Sequence, residues 1–368
     1  MRTDLDLVHQ LLARSDRLKG AVVADVTQLA GDMSTRRFSR VTFSQGPVSH
    51  AIMVTLSGAP GPVGGGPRGL TQDDTYIEVG SFLSKHGVRV PELYADGRDL
   101  GVLLVEDVGS TSLLSVAQGD VELQSGLKES LGTDPLKTLF GKALSIQKKL
   151  RALPRDDQNV IFQRHTTAEQ RDKQIREFLD YYALPRGLSD SGRKTIEGLM
   201  NTVCERVAQH PLEVSHFDYM ASNIHVLPQA DLCLIDFQDM CLDSPARDVV
   251  SLLNDRDSDS ALGRERQREL LALFMREVNT HENFPLLYDE YLLLWDFRVS
   301  GRFALLAEQR GIARYKTWIP GTLRRLGRTL VRTKATVPGA DEALAVLSRF
   351  STYVREGSED PWEFPLSK

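Results

Sequence analysis

The chain has 368 residues, 41% hydrophobic and 26% charged, which is typical of a globular protein. Its formal net charge of −5 at pH 7 gives no basic excess to attract a polyanion, so nucleic-acid binding is not expected. The apolar runs are far shorter than the roughly 20 residues that cross a bilayer, and the three cysteines form no CxxC pair, which argues against a disulfide framework or a zinc knuckle. We therefore expect a cytoplasmic protein with no export signal.

The first hundred residues predict a small antiparallel sheet with two helices. Apolar residues recur at helical spacing over 5–14 and 73–86. Strand-like stretches cover residues 22–29, 38–43, 51–56, 91–95 and 101–105. Between the third strand and the second helix, residues 57–69 contain six glycines and three prolines, a composition that holds neither a helix nor a central strand. We expect this segment to be a disordered loop rather than a binding lid.

Beyond Gly109 the pattern becomes mostly helical. Long amphipathic stretches cover residues 135–153, 168–182, 191–209, 264–280, 286–309 and 341–353. Short strands are expected only at 213–215, 224–227 and 232–237. Because Gly109 and the Ser/Thr cluster after it interrupt the pattern, we place a boundary between residues 1–107 and 108–368.

The most informative segment lies among these short strands. His216-Phe217-Asp218 is followed by Asn223, and Asp236 ends a later strand, which is the order of a kinase catalytic loop and metal loop. Phosphoryl transfer needs a positioned nucleophile and neutralised phosphate charge more than covalent help from the protein. Asp218 is therefore predicted to be the catalytic base, while Asn223 and Asp236 are predicted to bind Mg²⁺, which prefers oxygen ligands. A chance polar loop is the alternative for any one of these residues.

Two neighbouring positions have predicted structural roles. His216 is expected to brace the loop rather than to perform chemistry. Asp248 stands where a turn leads into an apolar helix, so we expect it to cap that helix and to accept hydrogen bonds from the catalytic-loop backbone. Arg247 receives no role from the sequence.

With HxDxxxxN followed by Ile235-Asp236-Phe237, the chain resembles the aminoglycoside phosphotransferase-like kinases. The likeness is closest to amino-sugar kinases that phosphorylate N-acetylmuramate and N-acetylglucosamine at C1 in cell-wall recycling. It rests on residues 31–41 (GDMSTRRFSRV), on Ala59-Pro60 and on residues 236–255. The resemblance implies an α+β, two-lobed protein-kinase-like fold, with a small antiparallel-sheet N-lobe (1–107) and a larger, mostly helical C-lobe (108–368). It also implies ATP and Mg²⁺ as cofactors and a small-molecule acceptor, with an amino sugar favoured.

Residues 31–41 lie between two predicted strands, in the place of a phosphate-covering hairpin. The segment has few glycines, so Ser34, Thr35, Arg36 and Arg37 are predicted to contact the phosphates. A solvated strand edge is the alternative for the two arginines. The third strand also lacks the lysine with which protein kinases hold the α and β phosphates.

Two further positions follow from the same comparison. Residues 103–109 resemble the family's hinge, so Glu106 and Val108 are predicted to lie against the adenine, with an ordinary linker as the alternative. Without a lysine partner, Glu78 is left as a ligand of metal or substrate, or as a surface residue.

Four residues are predicted to contact the acceptor: Gln238, Asp239, Tyr219 and Arg298. Arg298 would face a substrate carboxylate or lie on the surface, whereas Trp295 and Tyr291 are expected in the core. Two alternatives to an amino-sugar kinase remain open. A kinase of a cationic alcohol such as choline or an aminoglycoside would use the acidic run Asp255, Asp257 and Asp259. A nucleotide-binding protein without turnover would explain the missing lysine.

Overall fold

In a computed structural model, which describes residues 3–29, 36–58, 70–279 and 281–360, a five-stranded sheet precedes a mostly helical region. The sheet is antiparallel throughout, with the strand order β1-β2-β3-β5-β4. Its strands are β1 (Val22–Gln28), β2 (Arg37–Gln45), β3 (His50–Thr55), β4 (Leu93–Gly97) and β5 (Val102–Glu106), accompanied by helices α1 (Asp4–Leu12) and α2 (Gln72–Lys85). The predicted N-terminal sheet and its two helices are confirmed.

Each face of the sheet packs against one of these helices. Because side chains alternate along a strand, Met53 and Leu104 lie with α1 in one cluster, whereas Val54 and Val105 form another cluster against α2. Thr71 and Asp74 form a capping box at the start of α2, which fixes where this helix begins.

The remaining helices are α3 (Leu113–Gln118), α4 (Ser125–Ser130), α5 (Pro135–Arg151), α6 (Val160–Gln163), α7 (Ala168–Glu177), α8 (Asp190–Ala208), α9 (Arg247–Asn254), α10 (Ser258–Leu262), α11 (Arg264–Glu277), α12 (Phe284–Ala304), α13 (Ile319–Thr333), α14 (Ala340–Phe350) and α15 (Thr352–Ser358). Two antiparallel ribbons lie among them, one of β6 (Glu213–Ser215) and β9 (Cys241–Asp243), the other of β7 (Ile224–Val226) and β8 (Leu232–Leu234). Over the described ranges, no helix is both long and apolar enough to span a membrane.

The helical region differs from the predicted pattern in three respects. The stretches 168–182 and 286–309 each begin as an α-helix and end in a π-helical turn, and the stretch 341–353 is divided at Ser351 into α14 and α15. The sequence reasoning missed β9, the short helices α3, α4, α6 and α10, and the longer helix α13. The apolar residues Leu323, Leu326 and Leu330 of α13 are buried at regular helical spacing, so the signal for this helix was present in the sequence.

Helix α2 packs against the helical region as well as the sheet. Val79 and Leu83 belong to the large hydrophobic core of the helical region. A Cβ atom on Gly80 would lie 3.1 Å from the ring of Phe237, so only glycine allows this close approach without a shift. The two parts of the chain therefore share α2, and the boundary near residues 106–109 stays a prediction.

Candidate active site

The segment after β6 presents Asp218 at a partly exposed position. Phe217 has a positive φ of 76°, which is uncommon for an aromatic residue. Its carbonyl oxygen accepts a hydrogen bond from Arg247 Nε at 2.8 Å, so Arg247 holds this strained turn. The side chain of Asp218 is 28% exposed, whereas that of Arg247 is 1% exposed.

Asp248, in the first turn of α9, binds the start of the loop that carries Asp218. Its two carboxylate oxygens accept hydrogen bonds from Ser215 Oγ at 2.6 Å and from the His216 backbone N–H at 2.9 Å. The predicted hydrogen bond to the loop backbone is therefore confirmed. Within the described residues no side-chain hydrogen bond caps α9, so the predicted capping role is wrong: Asp248 lies inside the first turn, and its oxygens face the loop instead. Buried His216 packs edge-on against Tyr219, with ring centroids 5.6 Å apart, in keeping with a bracing role.

The two predicted metal ligands are linked through the loop backbone. Asn223 Nδ2 donates to the carbonyl oxygen of Asp218 at 3.0 Å, and the Ile235 N–H donates to the carbonyl oxygen of Asn223 at 3.0 Å. Because Ile235 directly precedes Asp236, this second bond joins the catalytic loop to the strand that carries the second carboxylate. Asp236 has a positive φ of 61° and an exposed side chain, and its Oδ1 accepts a hydrogen bond from Gln238 Nε2 at 2.7 Å.

This pair of residues fits a magnesium ion. The amide nitrogen of Asn223 is engaged with the loop, which leaves its side-chain oxygen for a ligand. Among the described residues, no group of three or more His, Cys, Asp and Glu side chains forms a metal cluster. Mg²⁺ is commonly bound by one or two protein oxygens together with phosphates and water, so the site needs no further protein ligand.

Gln238 and Asp239 follow directly and are both buried. Asp239 Oδ2 accepts a hydrogen bond from Gln72 Nε2 at 2.9 Å. Within the described part of the chain, Gln238 Oε1 and Asp239 Oδ1 are buried without a hydrogen-bond partner. Burial, and then the nearby charges of Asp218 and Asp236, raise the pKa of Asp239 to about 7. Two buried acceptor atoms without a hydrogen-bond donor among the described residues therefore belong to the residues that follow Asp236.

Helix α2 is tied to the helical region by more than the Gln72–Asp239 contact. Glu78 Oε1 accepts a hydrogen bond from the Val160 N–H at 2.7 Å, in the first turn of α6. Rings of Tyr76 and Phe237 lie 4.8 Å apart between centroids. Glu78 is therefore not a free surface residue, which corrects that alternative, while a role towards metal or substrate stays a prediction.

Only half of the predicted phosphate-binding set can be described. Ser34 and Thr35 lie outside the described residues, as do Ala59-Pro60 and most of the Gly/Pro-rich segment. Arg36 is buried: its Nε lies 3.1 Å from Asp73 Oδ1, and its guanidinium carbon lies 5.8 Å from the centre of the Tyr76 ring. Arg37 is exposed. The solvated-edge alternative thus applies to Arg37 and is wrong for Arg36.

Asp73 connects Arg36 to the segment after β3. Its second oxygen, Oδ2, accepts a hydrogen bond from the Gly58 N–H at 2.9 Å. The Asp73 carboxylate at the start of α2 therefore binds both Arg36 and Gly58. Arg36 is the first described residue of the β1–β2 connection after residue 29, and Gly58 is the last described residue before the Gly/Pro-rich segment.

At the predicted hinge, Glu106 is engaged within the sheet. Its N–H donates to the carbonyl oxygen of Glu92 at 2.8 Å, and its side chain pairs with Arg89 and accepts from the Glu92 N–H at 3.1 Å. These contacts occupy the side chain and the N–H of Glu106, and the adenine contact predicted for its backbone stays a prediction. Val108 is half-buried, and the adenine contact predicted for it stays a prediction.

The remaining acceptor-site candidates separate into two groups. Tyr219 is fully buried, and its hydroxyl donates to the carbonyl oxygen of Ala143 at 2.7 Å, so the predicted substrate contact is wrong. The side chain of Tyr219, next to Asp218 in the sequence, therefore packs inside the protein against α5. Arg298 instead lies in the site, with Nη2 3.9 Å from Asp218 Oδ1. Trp295 and Tyr291 are buried, as predicted.

Two members of the acidic run suggested for a cationic acceptor lie beside arginines. Asp255 is 4% exposed and lies 3.4 Å from Arg256, and Asp259 pairs with Arg325 at 2.9 Å. The side chain of Asp257 lies outside the described part of the structure.

Sequence reasoning missed Arg247, which connects three elements. Besides its bond to Phe217, its Nη1 lies 2.9 Å from Asp243 Oδ2 and 3.0 Å from the Tyr291 hydroxyl. The spacing of Asp243 and Arg247, four residues apart, was the available signal.

Comparisons with known proteins agree with this geometry. Residues 71–282 match the profile of a phosphotransferase enzyme family. Over 330 residues the chain is 24% identical to the N-acetylmuramate/N-acetylglucosamine kinase of Neisseria meningitidis serogroup B, covering 85% of this chain and 88% of that protein. Among solved structures, choline kinase from Streptococcus pneumoniae is similar with a TM-score of 0.51 and 16% identity, covering 82% of this chain and 94% of that one. Spectinomycin phosphotransferase in complex with ADP and spectinomycin gives a TM-score of 0.55 at 11% identity, covering 94% and 98%. These structural likenesses support the two-lobed kinase-like fold.

Proposed function

Because the chain belongs to the phosphotransferase enzyme family and is a small-molecule kinase, we propose that it transfers the γ-phosphoryl group of Mg-ATP to the anomeric hydroxyl of an N-acetylated amino sugar. The observation that carries the proposal is the pair of hydrogen bonds that connects the loop of residues 216–223 to the segment ending at Asp236. Asn223 bonds to the carbonyl oxygen of Asp218, and Ile235 bonds to Asn223, so the base and both metal ligands belong to one hydrogen-bonded unit.

In this proposal, Asp218 accepts a hydrogen bond from the attacking hydroxyl and takes its proton as the phosphoryl group is transferred. Its side chain is 28% exposed, which leaves it accessible to an acceptor. Asn223 and Asp236 hold Mg²⁺, which neutralises phosphate charge when it is bound.

Arg36 is proposed to take the place of the missing lysine. It reaches α2 through Asp73, in the way that a strand lysine pairs with a helix glutamate in protein kinases. A guanidinium binds phosphate oxygens through charge-assisted hydrogen bonds, as a lysine ammonium does. Arg37, which is exposed, has a lesser role.

The amino-sugar assignment rests on the resemblance of residues 31–41 and 236–255 and on the relative from Neisseria meningitidis. A sugar presents several hydroxyl groups, and an N-acetyl group adds an N–H donor. Gln238 Oε1 and Asp239 Oδ1 are buried acceptors without a partner in the described residues, so they suit such donors. Cell-wall sugar recycling is the setting that the resemblance implies.

The direct test is an ADP-release assay with Mg-ATP and separate acceptors: N-acetylmuramate, N-acetylglucosamine, N-acetylgalactosamine, an aminoglycoside and choline. Phosphorus NMR of the product distinguishes an anomeric phosphate from a phosphate at another hydroxyl. We expect turnover with N-acetylated sugars and an anomeric product. Turnover confined to the cationic alcohols would refute the amino-sugar assignment while leaving the kinase activity intact.

A further inference from the structure

A small cavity lies behind Asp218, between α7, α9 and α12. It has a volume of about 20 Å³, and its lining includes Arg171, Arg247, Trp295 and Arg298. That volume accommodates about one water-sized group. Arg298 belongs both to this lining and to the catalytic site, because its Nη2 is 3.9 Å from Asp218 Oδ1.

The cavity gathers nitrogen donors that lack acceptors. Across the described residues, Arg247 Nη2, Trp295 Nε1 and Arg298 Nη1 are buried and have no hydrogen-bond partner. Arg247 is 1% exposed and Trp295 is 2% exposed, so solvent does not satisfy them from outside. A buried donor without a partner costs about 1–3 kcal/mol, and three such donors around one cavity point to a missing acceptor.

The charges around the cavity also favour an anion. Asp243 contacts two of the three guanidinium groups, lying 2.9 Å from Arg247 and 3.9 Å from Arg171. It also accepts hydrogen bonds from Thr166 and from the Ser244 N–H, so its negative charge is shared among several donors. Burial of the site, and then the proximity of Arg247, lower the pKa of Arg298, while Asp218 opposes this effect.

Arg247 is held in place for such a role. Its Nε and Nη1 are bound to the Phe217 carbonyl, to Asp243 and to Tyr291, and its guanidinium carbon lies 3.9 Å from the centre of the Phe217 ring. Among the described contacts, only Nη2 remains for a ligand. Planar guanidinium groups and an indole N–H together suit a carboxylate, which accepts several hydrogen bonds.

We infer that this cavity binds a carboxylate carried by the acceptor next to Asp218, so that the enzyme prefers an acidic N-acetylated amino sugar to a neutral one. The inference rests on the proposed function, because it assumes that the acceptor is an amino sugar. It distinguishes the two sugars in the name of the Neisseria meningitidis relative, since N-acetylmuramate has a carboxylate and N-acetylglucosamine has none.

The experiment compares kcat/KM for N-acetylmuramate and N-acetylglucosamine at saturating Mg-ATP in four proteins. These are the wild type, Arg298→Met, Trp295→Phe and the control Arg302→Met. Arg302 lies one turn further along α12, pairs with Glu177 and has a side chain that is 44% exposed. Trp295→Phe keeps a large aromatic ring and removes only the indole N–H, so it tests the cavity with less risk to folding.

For N-acetylmuramate we expect kcat/KM to fall about 10- to 100-fold in Arg298→Met and about 3- to 10-fold in Trp295→Phe, the range for lost hydrogen bonds to a charged group. For N-acetylglucosamine we expect a smaller loss in Arg298→Met, which also removes the cation beside Asp218, and a change below about threefold in Trp295→Phe. Arg302→Met should preserve the wild-type ratio. Equal losses of kcat/KM for both sugars would mean that Arg298 acts only through Asp218, and would overturn the inference. A wild type that shows no preference for the acidic sugar would also overturn it. Turnover of neither sugar by the wild type would refute the proposed function itself, and the inference with it.

Discussion

At the scale of single residues, the Asp218 side chain provides the sharpest test of the catalytic site. Asp218→Asn preserves size but removes the carboxylate that would take the proton. We expect kcat to fall about 10²- to 10⁴-fold, the usual contribution of general base catalysis. The affinity for Mg-ATP should change less than about twofold, because Asn223 and Asp236 are retained. Steady-state kinetics and nucleotide titration measure the two effects separately.

Asp231→Asn is the matched control for this change. Asp231 is exposed in the turn that joins β7 to β8, so the same loss of charge there should leave kcat within about twofold of the wild type. Near-normal turnover of the Asp218 variant would remove Asp218 from the role of base.

Arg36 and Arg37 are neighbours in sequence but differ in environment, which makes them a matched pair. Arg36→Met should raise the KM for ATP about 10-fold or more, because a charge-assisted bond to phosphate is lost. Arg37→Met should change it less than about threefold, since Arg37 is exposed. Because Arg36 is buried beside Asp73, the melting temperature of each variant must be measured with its kinetics. An unchanged KM in a folded Arg36 variant would contradict the phosphate-binding proposal.

At the scale of elements, the crossing of α13 and α15 depends on two glycines. A Cβ atom on Gly327 would lie 2.2 Å from the Val354 carbonyl oxygen, and one on Gly357 would lie 2.0 Å from the Arg324 carbonyl oxygen. Since backbone atoms must shift to admit a methyl group, each change to alanine should lower the free energy of unfolding by about 1–3 kcal/mol. Urea unfolding with a fixed m-value measures the effect.

Gly198 in α8 supplies the control, because a Cβ built there would have no described atom within 4 Å beyond its chain neighbours and the backbone of its own helix. Gly198→Ala should raise the free energy of unfolding by about 0.5–1 kcal/mol, as alanine has the higher helix propensity. A similar gain in Gly327→Ala or Gly357→Ala would show that the two helices do not cross so closely.

The sequence predicted elements and residues whose signals are local. Apolar and polar side chains alternate along the strands of the sheet, which allowed these strands to be predicted. Asp218, Asn223 and Asp236 were proposed as site residues from their short spacings in the sequence. The partners of other residues depend on distant segments. Arg36 meets Asp73 37 residues away, and Glu78 meets Val160 82 residues away, so no local pattern identifies these contacts. Tyr219 was assigned wrongly because its neighbour Asp218 faces the cleft, while the tyrosine ring packs in the core.

On the scale of the whole molecule, α2 unites the two parts of the fold. Its first turns carry Asp73, which holds Arg36, and Gln72, which binds Asp239 close to the predicted catalytic residues. Further along, Glu78 binds the first turn of α6. The proposed phosphate-binding arginine and the proposed metal-binding segment are therefore both in contact with α2, and a shift of this helix would move both.

Global stability should depend on pH through the buried carboxyl of Asp255. Burial, with a smaller contribution from Asp218, raises its pKa to about 6 against the opposing effect of Arg256, Arg298 and Arg325. Because the folded pKa exceeds the unfolded value of about 3.9, the folded state binds more protons than the unfolded state between these values. This carboxyl therefore destabilises the fold at pH 7, and the penalty disappears as the pH falls towards about 4.

Replacing Asp255 with asparagine removes that penalty. At pH 7 the Asp255→Asn variant should have a free energy of unfolding above the wild type by up to about 3 kcal/mol, since each pKa unit corresponds to about 1.4 kcal/mol. The difference should shrink as the pH is lowered through about 6 to about 4. Denaturant unfolding of both proteins at several pH values measures it, with Asp231→Asn as an exposed control whose difference from the wild type should stay small. A difference that grows on acidification would mean that the ionised Asp255 carboxylate stabilises the fold, with its arginine neighbours outweighing the cost of burial.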